Sequence, residues 1–342
     1  MSAPMERVTI KDVAAAAGVS KGAVSLAFNH KPGVSDATRE RIFAVARQLG
    51  WAPNSSARSL SRQSVDTVGL AICRPARLLG LEPFYMEFIS GIESVLAERH
   101  CSLLLRLVSG LEEEIGLQET WWRERQVSGS VLVDFHEDDP RIGPLRALGL
   151  PAVAVGHPDL TGGLPSVWTD DATAVSEAVR YLSALGHRRI ARVGGPEGLG
   201  HSAIRATAFA RTLAELGLDA SRQVATGFSG DEGARATRSL LLSAERPTAV
   251  LYDNDIMAVA GLGVAAEMGV SVPDDLSLLA WDDSQLCRLT HPTLSAMSHD
   301  VHGFGAQVAH VLFEVISGQD AVSRPVATPS LVPRASTAPP RV

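Results

Sequence analysis

Long hydrophobic runs are missing from this chain of 342 residues: no apolar stretch approaches the roughly 18 residues that a membrane-spanning helix needs. The opening segment, MSAPMERVTI, lacks the charged-then-apolar pattern of a secretory signal, so export is not expected. Cysteine is scarce. Cys73, Cys101 and Cys287 are odd in number, far apart and without metal-type spacing, which excludes a disulfide framework and a thiolate metal site. They read as core thiols in a reducing, cytoplasmic chain. Aromatics make up 5% of the residues, and the ten histidines form no HxxxH or HExxH set. GLGVAA (261–266) fits a dinucleotide glycine pattern in form, but it falls inside a helical stretch and reads as close packing. GGPEGLG (194–200) has the wrong spacing for a phosphate loop, and no Lys-Ser/Thr follows it. With no catalytic, cofactor or metal constellation, an enzyme is not expected.

What the chain does have is a division of charge. The net charge is −7, yet residues 1–63 hold nine Lys/Arg against four Asp/Glu, a net of +5, which leaves −12 on the rest. A basic head on an acidic body suits a head that meets phosphates and a body kept off them.

The head reads as three short helices. Thr9 and Asp12 form a capping pair ahead of a stripe of Ile10, Val13, Ala14 and Ala17. Gly18 permits a left-handed exit. Ser20 then caps a second helix, Lys21 to about Phe28, with Val24, Ala27 and Phe28 inward. Ser35 starts a third, with Ile42, Val45, Ala46 and Leu49 at helical spacing, and Gly50 ends it. Alanines at the crossings allow close approach, as in a helix-turn-helix whose second helix lies in the major groove. A small helical bundle would share the packing pattern. The second helix leaves Ser20, Lys21, Gly22, Ser25 and Asn29 for a surface that reads base edges and phosphates. Next, WAPNSSARSLSRQ places Pro53 as a helix stop, Asn54 as a cap, and Ser55 to Ser61 as under two turns. So short a helix needs a second copy or DNA to form, with Leu60 wedged into a minor-groove step. Alone, the segment reads equally as a linker.

From about residue 64 the chain alternates short apolar runs with helical patterns. The runs are 67–73, 101–108, 129–135 and 151–156, then 188–195, 247–253 and 276–282. Alternation of this kind implies α/β architecture with parallel sheets covered on both faces, and two sets imply two lobes. Ligands of such sheets bind beyond the carboxyl ends of the strands. Those ends are polar: Asp134, Asn254 with Asp255, and Asp282 with Asp283. Arg205 at the start of a helix joins them, with Phe84, Tyr85 and Phe228 as aromatic surfaces in loops. Such a set serves sugar hydroxyls and the C–H face of a sugar ring. A single strand-end Asp is also a common helix cap.

The stretch VTIKDVAAAAGVSKGAVSLAFNHKPGVSDATRERIFAVARQLGWAPNSSARSLS resembles the head and hinge of the lactose/galactose repressor family of bacterial transcription regulators. The resemblance extends over nearly the whole chain. It implies a helix-turn-helix head at 1–53, a hinge helix at 54–63, and a periplasmic-binding-protein-like effector domain at 64–342. The first lobe would take about 64–167 and 298–325, the second about 168–297 and 326–342. By resemblance, Ala57 and Leu60 meet the minor groove, and Lys21, Gly22 and Ser25 sit at base-contact positions. In the body, Arg205 matches the arginine that grips the effector, Asp282 the strand-end aspartate, and Asn254 the asparagine of "ND". Phe228, Phe84, Tyr85 and Asp134 fall at ligand-contact positions, Phe84 and Tyr85 in a first-lobe loop. Two positions depart from the pattern: Leu26 stands where arginine is frequent, and His157 where an acidic residue is common.

The expected molecule is therefore a ligand-controlled DNA-binding repressor. Its partners would be a near-palindromic operator and a small effector, a sugar being favoured over a purine. A transport solute-binding protein would share the lobes but need export and no basic head. The Pro-rich ending LVPRASTAPPRV cannot form a leucine-heptad helix, so a homodimer is expected.

Overall fold

A computed structural model describes residues 8–29, 31–51 and 66–341. The chain divides into two compact units, Met1–Val65 and Asp66–Val342.

In the first unit, helices α1 (Ile10–Ala17), α2 (Lys21–Phe28) and α3 (Asp36–Gln48) follow their caps. The Thr9 amide and hydroxyl both donate to the Asp12 carboxylate at 2.7 Å. These hydrogen bonds hold Asp12 below the usual carboxylate range. Gly18 turns the chain at φ 63°, and Ser20 Oγ accepts from the Ala23 amide at 3.1 Å. Val13, Ala14, Ala17, Val24, Ala27, Ile42 and Ala46 form the buried core. Leu49 departs from the expected inward stripe: it is 37% exposed, because it caps α3 and the helical phase has already ended. Its place is taken by an edge-to-face cluster in which Phe28 meets Phe43 at 4.8 Å and Trp51 at 5.2 Å.

The second unit holds two six-stranded sheets. One has β1 (Thr67–Ile72), β2 (Ser102–Leu107), β3 (Gly129–Leu132), β4 (Ala152–Val155), β5 (Ser166–Trp168) and β11 (Arg324–Pro325), ordered β11-β5-β4-β3-β1-β2. The other has β6 (Ile190–Gly194), β7 (Gln223–Ala225), β8 (Ala249–Tyr252), β9 (Ser277–Asp282), β10 (Ser295–Ser298) and β12 (Ser330–Val332), ordered β12-β10-β9-β8-β6-β7. All pairings are parallel except β10 with β12. The chain crosses between lobes after β5, after β10 and after β11. Strands β5, β7, β10, β11 and β12 escaped the sequence reading, being two to four residues long with no apolar run of their own.

The second crossing is fixed by glycine. Helix Pro83–Glu98 packs on helix Val301–Ile316 so closely that a Cβ on Gly91 would fall 2.0 Å from the His302 carbonyl oxygen, and one on Gly305 2.1 Å from that of Phe88. That contact seats the returning segment, which carries His299 and Phe304, against the first lobe. Among the cysteines, Cys287 is buried while Cys73 and Cys101 are only half-buried at the ends of their strands. Among the described residues no helix is long and apolar enough to cross a membrane.

Candidate functional site

A cavity of about 1010 Å³, its mouth included, opens beyond the carboxyl ends of both sheets. Phe84, Tyr85, Asp134, Arg205, Phe228, Asn254 and Asp282 all line it, as does His157. Three of these, Asp134 (φ 54°), Phe228 (φ 66°) and Asp282 (φ 76°), are non-glycine residues in the left-handed region. That conformation is uncommon and concentrates where surrounding contacts hold it.

At Asp134 those contacts are visible. Arg141, 1% exposed, donates to the carbonyls of Val133 at 2.9 Å and Asp134 at 3.2 Å while paired with Glu114 and Asp139. The turn is thereby fixed from behind. In front, the Tyr85 hydroxyl donates to Asp134 Oδ2 at 2.8 Å, and Arg74 Nη1 lies 2.9 Å from the same oxygen. Burial pushes the Asp134 carboxyl up, but Arg74, His201 and the Tyr85 hydroxyl outweigh it and hold it below the ordinary range. Phe84 and Tyr85 are not in a loop as expected: they form the first turn of the helix that starts at Pro83, a residue suited to that position. Tyr85 is 4% exposed and committed to Asp134, so it braces the wall instead of offering a free face.

On the other lobe, Arg205 sits in the second turn of helix Gly200–Glu215, a little deeper than a helix start. Its Nε donates to Asp171 at 3.0 Å and its Nη1 to the Asp253 carbonyl at 3.1 Å. The guanidinium lies 4.2 Å from the Trp281 ring centroid. Asn254 is more structural than expected. Its Oδ1 accepts from the Met257 amide at 2.9 Å as a helix cap, and its Nδ2 donates to the Phe228 carbonyl at 3.0 Å, holding that strained residue. One amide hydrogen and one lone pair remain for a ligand. Asp282 Oδ1 lies 3.2 Å from His299 Nε2. His157 packs edge-on to Trp168, centroids 4.6 Å apart.

Several lining residues escaped the sequence reading: Arg74, Glu82, Trp168, Asp171, His201 and His299. Arg74 follows the run 67–73 much as Asp134 follows its own, so the strand-end rule could have found it. It spans toward the second lobe, 5.5 Å from the Phe228 ring centroid. The others follow no run of their own or are shown only by topology.

In the smaller unit, Ser20, Lys21, Gly22 and Ser25 are exposed on α2. Asn29 is half-buried, and its Nδ2 donates to the Ser25 carbonyl at 2.9 Å. Ala57 and Leu60, with the whole expected hinge at 54–63, lie outside the described residues.

Comparison with known proteins bears on both units. The model for "Bacterial regulatory proteins, lacI family" matches residues 9–54, and that for "Periplasmic binding protein-like domain" matches residues 179–337. The HTH-type transcriptional regulator CelR of Thermobifida fusca is 32% identical over 322 residues, covering 92% of this chain and 93% of its own. The lac repressor dimer bound to operator and an anti-inducer superposes with a TM-score of 0.87 at 26% identity, covering 97% of this chain and all of that one. The complex of CelR with cellobiose gives 0.72 at 29% identity, covering 96% and 100%.

Proposed function

This chain belongs to the lacI family of bacterial regulatory proteins, and from that membership we propose that it represses carbohydrate-utilisation genes and is released from its operator by a sugar-type inducer. The observation that carries the reading is the cavity wall. Carboxylates at strand ends accept from ring hydroxyls, the Arg205 guanidinium donates to them, and Phe84 and Trp168 offer ring surface to C–H groups. The relative solved with cellobiose in place supports the class of ligand.

The working form is a homodimer in which two α2 helices meet the half-sites of a near-palindrome, with Lys21, Gly22 and Ser25 toward the bases and Ser20 and Asn29 at the rim. Ala57 and Leu60 of the hinge enter the minor groove. Between the lobes, a ligand that prefers the closed arrangement shifts the population toward it, and the operator prefers the other; linkage makes each weaken the other.

Footprinting on genomic fragments, at stated salt, tests the first half, and melting of the full chain against sugars, nucleosides and amino acids tests the second. A protected palindrome that is lost on adding a stabilising sugar is the expected result. Stabilisation by a nucleoside alone, or protection that strengthens with the sugar, would overturn it.

A further inference from the structure

The cavity wall is one-sided in charge. Six carboxyl groups line it (Glu82, Asp134, Asp171, Asp253, Asp255 and Asp282) against two guanidiniums, Arg74 and Arg205, and three imidazoles, His157, His201 and His299. Both guanidiniums are engaged: Arg74 lies 2.9 Å from Asp134 and Arg205 3.0 Å from Asp171. Asp253 is held from behind by Arg192, and Asp282 by His299 at 3.2 Å. Two carboxyls are left over, one on each lobe. Glu82 is 7% exposed, and Arg74 Nε approaches it no closer than 3.9 Å. Asp255 is 2% exposed; Ser284 hydrogen-bonds its carboxyl, but its Oδ2 has no hydrogen-bond partner.

A buried carboxyl oxygen without a partner is costly unless a ligand completes it. Burial, against the pull of Arg74, leaves Glu82 at about 7; burial and Asp282, against a Ser284 hydrogen bond, leave Asp255 at about 6. Near neutral pH the wall therefore offers acceptors, or carboxyl protons, to hydroxyl and ammonium groups. To a phosphate or carboxylate it offers like charge at a buried wall, where each lining guanidinium is already paired with a wall carboxylate and Arg74 Nε is left without a hydrogen-bond partner.

We propose that Glu82 and Asp255 make the cavity a charge filter, admitting neutral or positively charged ligands and refusing the phosphorylated or carboxylated form of the same molecule. The inference rests on the reading of the cavity as the effector site and narrows its ligand class.

Calorimetric titration of the full-length protein with matched pairs tests it: cellobiose, maltose and trehalose, their 6-phosphates and aldonic acids where these exist, glucosamine, and adenosine with its 5′-monophosphate. For any neutral probe that binds, the anionic partner binds at least 100-fold more weakly, and the Glu82→Gln, Asp255→Asn double variant narrows the gap below tenfold. An anionic probe that binds as tightly as its neutral partner overturns the filter. If a phosphorylated sugar binds best, the filter fails while the sugar reading stands. If adenosine binds, its monophosphate is refused and no sugar binds, the filter stands and the sugar reading fails. Melting of the unliganded proteins gives a second readout that needs no ligand. At pH 7.5 the Asp255→Asn chain melts no lower than wild type, and a fall of several degrees would show Asp255 to be structural and overturn the proposal.

Discussion

The two units place their candidate contacts in opposite physical settings. On α2, Lys21, Gly22 and Ser25 are exposed, while packing is left to Val24 and Ala27 on the other face. In the cavity, the contact residues are also the ones that hold the walls: Arg205 ties the start of helix Asp171–Ala184 to the strand end at Asp253, Tyr85 braces Asp134, and Asn254 pins Phe228. Recognition by a helix face separates function from stability, because the opposite face folds the unit. Recognition inside a cleft merges them, because every polar group there must be satisfied when no ligand is present.

The sharpest way to break that contrast is Arg205→Ala. The change removes one member of a buried pair and strands Asp171, which is 6% exposed, as an uncompensated charge. It should cost about 3 to 5 kcal/mol of stability and abolish ligand-induced stabilisation together, both read from melting curves. Loss of ligand response with an unchanged melting temperature would show that the cavity residues are as separable as those of α2.

Lys21→Ala tests the other side with a smaller effect. The side chain is exposed and no fold contact depends on it. Operator affinity should fall by about tenfold, and discrimination at the base pairs that Lys21 faces should relax. The melting temperature should move by less than about 1 °C, in keeping with surface substitutions within about 0.5 kcal/mol. A melting shift of several degrees would mean that α2 is held by its outer face as well.

The same contrast explains what could be read from the sequence. Helix positions in the head followed from spacing and caps alone, because an exposed face is whatever the packing stripe omits; Leu49 misled only where α3 had ended. Strand ends at Asp134, Asn254 and Asp282 were legible because a polar residue terminates an apolar run. His201 and Asp171 were not, since a helix residue reaches the cleft only through the way its helix is docked. His299 reaches it because the chain crosses back there, seated by Gly91 and Gly305, and no local pattern reports such a return. The neighbours Asn254 and Asp255 were both legible as polar strand-end residues and the resemblance singled out Asn254, yet the structure uses Asn254 as cap and pin and leaves an oxygen of Asp255 without a partner.

That reversal yields the smallest effect and the one that refines the contrast. If Asp255 lines the cleft without serving the fold, it is the exception among buried contact residues, and replacing it should help the unliganded protein. Its folded-state carboxyl lies at about 6, above its ordinary 3.8, because of burial and of Asp282. A raised carboxyl means that the folded form holds its proton longer, so the stability it contributes is complete below pH 4 and is lost as pH rises toward 6. Asn at this position does not titrate. The melting temperature of Asp255→Asn minus that of wild type should therefore climb between pH 4.5 and 6.5 and level off above. Full linkage of such a shift amounts to about 3 kcal/mol. That figure is an upper bound, and a rise of about 1 kcal/mol, or roughly 2 to 4 °C, is the least the comparison must show. Glu82 and Asp282 face the same space and Ser284 hydrogen-bonds the carboxyl, so the difference reports Asp255 together with its coupling to these groups. A difference that falls with rising pH would mean that the carboxylate is stabilised by the folded protein, and would return Asp255 to the class of wall-building residues with Arg205.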